Sequence, residues 1–311
     1  MGPIFESILP IFLLVVLGVV LKRAPLVDRS VWRGLEEIGY FVLFPALLFL
    51  TFYRADFSGL ALGSLAAGCL VTVVGLFLIL VISLPLFRSR GISLAEFTTV
   101  LQTITRWNAF VALATADKLF GETGLTLMAL IMAFVVLPIN FGNVALMVWY
   151  LSPSPNLGAF ARRLWSNPLI LACCAGLAMR FSGFAIYPPL EQAIDLVASA
   201  ALGLGLIVVG AALRIRDTVR PRLLSILCTF AKLLVYPLVS TATCWVFGVR
   251  GEALVIVALY GCVPTAMNGY LLARQLGGDA PLYATIATLQ TAASFVTIPL
   301  VLYLATYVAS G

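Results

Sequence analysis

Asn108-Ala109-Phe110-Val111 and Asn268-Gly269-Tyr270-Leu271 are one polar interruption written twice, about 160 residues apart, each inside an otherwise apolar stretch. A carboxamide in hydrocarbon costs free energy unless it has partners or a purpose. The same device in each half of a membrane chain points to a binding site where two related halves meet.

The surrounding composition makes the bilayer the solvent. Hydrophobic residues make up 62% of the chain and charged residues 10%, with a mean hydropathy of +1.10, more apolar surface than a soluble core could enclose. A spanning helix needs about 20 apolar residues. Charges and turn residues cut the chain into ten such runs, near 4–22, 33–52, 58–86, 93–119, 123–151, 166–182, 188–213, 221–247, 252–275 and 280–308. Glu6, rather than a basic segment, stands at the start of the first run, so it is expected to stay as a helix and not to be a removable signal. Cys69, Cys173, Cys174, Cys228, Cys244 and Cys262 all lie inside apolar runs without a CxxC spacing and read as small packing residues. No cofactor and no metal site is expected.

The net charge of +6 does not describe a nucleic-acid surface. With alternate loops on opposite sides, one side receives Lys22, Arg23, Arg29, Arg33, Arg88, Arg90, Arg162, Arg163, Arg214, Arg216, Arg220, Arg222 and Arg274, and the other only Arg54, Lys118, Arg180 and Arg250. That is the positive-inside pattern. It predicts a multi-pass cell-membrane protein with both termini outside, its loop cations acting as topology determinants and lipid-headgroup contacts.

Ser152 to Trp165, with Pro153, Pro155, Asn156, Arg162 and Arg163, is the one connection without apolar character, and it divides five runs from five. Because five is odd, the second half enters the membrane from the opposite side, so similarity between the halves implies an inverted repeat. Pro138 follows Asn108 by 30 residues and Pro299 follows Asn268 by 31, while Leu35-Glu36 and Leu190-Glu191 open the second run of each half. The expected fold is therefore all-α and integral to the membrane, with ten transmembrane helices in a 5+5 inverted repeat. Polar residues concentrate in spans four, five, eight, nine and ten: Gln102, Arg106, Asn108, Asn140, Asn143, Lys232, Asn268, Gln290 and Ser294. This predicts a scaffold from residues 1–55 and 166–216 and a transport core from 56–151 and 217–311, joined by a central cytoplasmic loop at 152–165.

Within span nine, Leu259-Tyr260-Gly261-Cys262-Val263-Pro264-Thr265-Ala266-Met267-Asn268-Gly269-Tyr270, Pro264 removes a backbone donor and clashes with the preceding turn. With Gly261 and Gly269 flanking it, an interruption is expected, against the plainer alternative of a repaired proline kink. The half-helix that leaves such a break presents unpaired N–H groups and partial positive charge. If span four breaks near Thr105 to Asn108 and crosses span nine, two such ends and two carboxamides surround one small volume that suits a carboxylate. Span four carries no proline, so its break is read from the repeat alone.

Arg106 lies about 20 Å of helix from one end of its span and about 16 Å from Asp117 near the other. Three readings stand: an anion ligand, a counter-charge to half-helix C-termini, or an outward-snorkelling side chain. Lys232, about 15 Å beyond Arg222 along the helix, is either a coupling group, a structural charge or a snorkelling side chain. Histidine is absent from the chain, and no aspartate or glutamate lies deep in spans four, five or eight to ten, where a carboxylate proton relay or sodium site would sit. Nothing matches a zinc helix, a nucleophile elbow or a P-loop, so an enzyme is not expected.

Phe44-Pro45-Ala46-Leu47-Leu48-Phe49, Arg106-Trp107-Asn108 and Pro264-Thr265-Ala266-Met267-Asn268-Gly269-Tyr270-Leu271-Leu272-Ala273, leading into Gln275-Leu276-Gly277-Gly278-Asp279, resemble the auxin efflux carrier family over essentially the whole chain. The resemblance implies ten helices with spans four and nine broken and crossing beside a substrate anion, and a homodimer held by the scaffold while the core moves past it like an elevator. It also implies Asn108 and Asn268 as carboxylate contacts, for an auxin-like, malate-like or malonate-like solute. The expected site adds Arg106, Pro264 and Thr265, with Trp107, Phe110 and Tyr270 against the apolar part of the solute. Alternatives are a sodium-coupled symporter like the bile acid carriers, or an anion channel or sensor.

Overall fold

A computed structural model describes residues 2–24, 28, 30–56, 62–151, 168–218 and 221–310. The connection from Ser152 to Trp165 lies outside them. All regular structure among the described residues is helical, as hydrocarbon requires of backbone whose N–H and C=O groups must be satisfied within their own segment. The order is α1 (Gly2–Arg23), α2 (Val31–Ile38), a π-helical turn (Gly39–Leu43), α3 (Phe44–Arg54), α4 (Leu62–Ile82), α5 (Leu84–Ser89), α6 (Leu94–Thr105) and α7 (Ala109–Leu151). Then come α8 (Pro168–Ser182), α9 (Pro188–Ala212), a 3-10 turn (Ile215–Thr218), α10 (Leu223–Phe230), a second π-helical turn (Ala231–Val235), α11 (Tyr236–Val246), α12 (Gly251–Cys262), α13 (Asn268–Leu276) and α14 (Ala280–Ser310).

Among the described residues, seven helical stretches are long and apolar enough to cross a membrane, and Pro168–Ser182 and Gly251–Cys262 are shorter apolar helices. The sequence suggests ten runs, and the difference has physical causes. Spans four and five fall in one apolar stretch, Leu94–Leu151, of 58 residues, about 87 Å at helical rise against a hydrocarbon core of about 30 Å. The stretch is not one rod. Its helix is absent at 106–108, and Gly121 adopts φ 57° and ψ −146°, a conformation that residues with a side chain adopt only under strain. Beyond that turn the second limb of α7 runs back past α6, where Asn143 Nδ2 donates to Thr105 Oγ1 at 2.9 Å. Span nine is short for a different reason: its helix stops at Cys262 and restarts at Asn268.

Both π-helical turns precede a proline. Phe44 N–H reaches back to Gly39 and Tyr236 N–H to Ala231, each immediately before Pro45 or Pro237. A proline ring crowds the carbonyl four residues earlier and cannot donate to it, and a wider turn takes up that misfit.

The helices pack as two sets. In the first, α1 lies along α9, and α3 lies against α8 and α9. The α1–α9 contact is backbone to backbone: a Cβ on Gly18 would overlap the Ile207 carbonyl, and one on Gly210 would overlap the Val15 carbonyl. In the second, α12 is surrounded by α7, α11 and α14, with α4 on α7 and α11. Leu254 to Leu259 on α12 are buried throughout, so the second interruption hangs from a helix enclosed by its neighbours.

Candidate functional site

The two interruptions meet. At α6 the last turn closes when Arg106 N–H bonds the Gln102 carbonyl at 2.9 Å, after which Arg106 is extended at φ −72° and ψ 158°. Asn108 then starts α7 as its cap, its Oδ1 accepting from Phe110 N–H at 3.1 Å and Val111 N–H at 3.2 Å. Asparagine is among the residues best suited to that position, so span four breaks without a proline. In span nine the break follows from Pro264, which pushes the residue before it toward extended backbone; Val263 sits at φ −73° and ψ 149°. The Pro264 carbonyl, released from its helix, accepts the Asn108 N–H at 2.8 Å.

Side chains brace the junction from α14. Gln290 is fully buried; its Oε1 accepts from Thr265 N–H at 2.8 Å and its Nε2 donates to the Thr103 carbonyl at 3.1 Å, one carboxamide bridging the two breaks. Tyr283 OH donates to the Ala266 carbonyl at 2.6 Å and lies 2.9 Å from Thr265 Oγ1. Its ring occupies the space a Cβ on Gly269 would need.

Arg106 is 7% exposed. Its Nη1 lies 3.4 Å from Asn268 Oδ1 and its Nε has no hydrogen-bond partner. The side chain is thus directed at the crossing and not toward a membrane surface. Asn268, the first residue of α13, is exposed, and no side chain caps that helix. Guanidinium, carboxamide and open helix start together offer donors to an anion.

The remaining sequence-selected residues sit around this centre. Trp107 is buried edge-to-face on Tyr260, with ring centroids 5.2 Å apart. Phe110 turns away toward the first set of helices, wedged between Phe44, at 4.1 Å between centroids, and Gly205 of α9. Tyr270 OH accepts from Arg214 Nη2 at 2.8 Å. Lys232 is fully buried in the second π-helical turn, its Nζ without a hydrogen bond and 4.1 Å from the Tyr236 ring centroid. An aromatic chain links it toward the crossing, since Tyr236 and Tyr260 share a 2.6 Å hydroxyl contact and Trp107 packs on Tyr260.

A separate cavity of about 430 Å³ opens between α3, α9 and α7, lined by Thr51, Arg54, Asp117, Glu122 and Asp195 among others. None of the crossing residues lines it. Gln290 is legible in the sequence only as part of the polar content of span ten, and Tyr283 is not legible as a site residue at all. Its one signal is a phenol in an apolar run, which needs a hydrogen-bond partner when buried.

Residues 152–302, which contain the second interruption, match the model of a family described as membrane transport protein. That stretch is just under half of the chain, and it is similar to the family over all of its 151 residues. An uncharacterized transporter of Methanothermobacter thermautotrophicus is 24% identical over 311 residues, covering 95% of this chain and 96% of its own length. A multi-pass membrane transport protein accounts for the apolar helices, and the resemblance read from the crossover residues agrees with the family match.

Proposed function

We propose that this membrane transport protein is a secondary carrier of a small organic anion, whose carboxylate binds where spans four and nine cross. The observation that carries the reading is the pairing of Asn108 N–H with the Pro264 carbonyl, beside a buried guanidinium set on Asn268. In this reading Asn108 offers its carboxamide NH2, because its oxygen is committed to the α7 cap, and Asn268, Arg106 and the first N–H groups of α13 complete the anion contacts.

Ten crossings in a 5+5 inverted repeat fit the helices. The stretch Leu94–Leu151 counts twice because Gly121 turns it back, Pro168–Ser182 adds one, and α12 with α13 adds another. The packing sets support a scaffold of α1 to α3, α8 and α9 and a core of α4 to α7 and α10 to α14. Phe44 and Gly205 on one side and Phe110 on the other form a contact across which an elevator-like core would slide. Both termini lie outside in this scheme, and the scaffold pairs two copies in a homodimer.

The test is counterflow in proteoliposomes against a panel of mono- and dicarboxylates, with sodium replaced by potassium in a parallel arm. Asn268→Ala and Arg106→Ala are expected to abolish exchange of the preferred solute. Full affinity and rate in both variants would place the site elsewhere.

A further inference from the structure

We propose that Arg214 is a second anion-binding residue of the crossing, standing opposite Arg106 across the first turn of α13; the inference rests on the carrier reading above. In the sequence Arg214 belongs with the loop cations that set topology. The structure ties it to the site. Helix α9 ends at Ala212, Leu213 is extended at φ −66° and ψ 141°, and Arg214 N–H donates to Thr288 Oγ1 of α14 at 3.1 Å. So anchored, the side chain reaches α13: Nη2 bonds Tyr270 OH at 2.8 Å and the guanidinium carbon lies 4.4 Å from that ring's centroid.

Asn268 and Tyr270 are two residues apart, about 200° around a helix, so Arg106 and Arg214 hold opposite sides of one helical turn. That turn is the positive end of α13, and no side chain caps it. Among the described residues the ion pairs involve Arg33, Arg54 and Arg222 and neither of these two arginines. Two guanidinium groups therefore converge on a helix start that is itself positive, one of them buried with an unpartnered Nε. Among the described residues no ion pair brings a counter-charge to that point, and a small anion would supply one. Asn268 and Arg214 are both exposed on the isolated chain. Tyr270 holds the Arg214 guanidinium in a neutral contact, which a carboxylate displaces because bonds between ionised partners are stronger.

The test uses the full-length chain in lipid nanodiscs, titrated with malonate and with indole-3-acetate at low and high potassium chloride. For whichever probe binds, Arg214→Gln is expected to weaken Kd roughly tenfold at low salt and to flatten its salt dependence, as removal of a screened charge must. Arg214→Lys should stay within about threefold of wild type. Tyr270→Phe, which removes the competing hydroxyl, should bind at least as tightly as wild type. Wild-type affinity and salt dependence in Arg214→Gln, while Arg106→Gln fails to bind, would overturn the inference and leave the carrier reading intact. A loss in Tyr270→Phe as large as that in Arg214→Gln would also overturn it, because the pair would then be a tether. If wild type binds neither probe, the carrier reading falls and this inference falls with it.

Discussion

Asn108 and Pro264, 156 positions apart in the chain, share a 2.8 Å backbone hydrogen bond, with Asn108 as donor and Pro264 as acceptor. Each residue ends the helical state of its own span for a local reason, one by capping the next helix and one by lacking a donor. The bond turns two local faults into a single junction. An unpaired backbone group at that depth would cost several kcal/mol, so neither break is independent of the other.

Asn108 has two separable duties. Asn108→Ser keeps a side-chain oxygen for the α7 cap and should leave thermal stability within a few tenths of a kcal/mol, whereas Asn108→Ala should lose about 1 kcal/mol. Exchange should fall in both, because both lack the carboxamide NH2. Thermal unfolding in detergent alongside counterflow measures the two effects, and a serine variant that transports at the wild-type rate would remove Asn108 from the binding site.

Gln290 joins both interruptions through one buried carboxamide. Gln290→Leu leaves Thr265 N–H and the Thr103 carbonyl without that partner and should cost about 1–3 kcal/mol. The loss should appear as a lower unfolding temperature together with faster hydrogen exchange at Thr265. Unchanged exchange at that amide would show that another group satisfies it.

Lys232 is buried without a hydrogen bond to its ammonium, and replacing a poorly compensated buried charge with an apolar side chain of similar length is commonly neutral or stabilising. Lys232→Met should therefore unfold no lower than wild type and gain up to about 2 kcal/mol, while solute exchange slows. A marked drop in stability would mean that the ammonium has a strong partner in the folded protein.

Two glycines should respond to alanine for different reasons. Nothing lies within 4 Å of a Cβ built on Gly121, so Gly121→Ala is penalised by its positive φ alone, about 1–3 kcal/mol. Gly210 is helical, and Gly210→Ala is penalised by collision with the Val15 carbonyl, about 1–3 kcal/mol with displacement of α1. Shortening the side chain opposite cannot relieve the second clash, since backbone is what blocks it. A compensating Val15→Ala that restored Gly210→Ala stability would contradict this.

The helical class, the apolar spans and the two asparagine positions are legible in the sequence because hydropathy and proline act locally. The break in span four is legible only through its likeness to span nine; its cause, Asn108 capping α7, is a local signal hidden inside an apolar run. The orientation of Phe110 was not legible, since nothing in Asn108-Ala109-Phe110-Val111 says that Gly205, 95 residues later, leaves room for its ring. Arg214 is the opposite case. A cation at a helix end reads as a loop charge until the fold brings Tyr270 beneath it.

The paired collisions that alanine would cause at Gly18 and Gly210 also bear on how the protein can move. Two rods whose main chains touch at reciprocal points are keyed to one another, and a shift of one residue along their common axis would drive each carbonyl into a neighbouring side chain. Helices α1 and α9 must then travel, or stay still, as a single plate, so any stroke of the transport cycle runs along the faces of that plate and not through it.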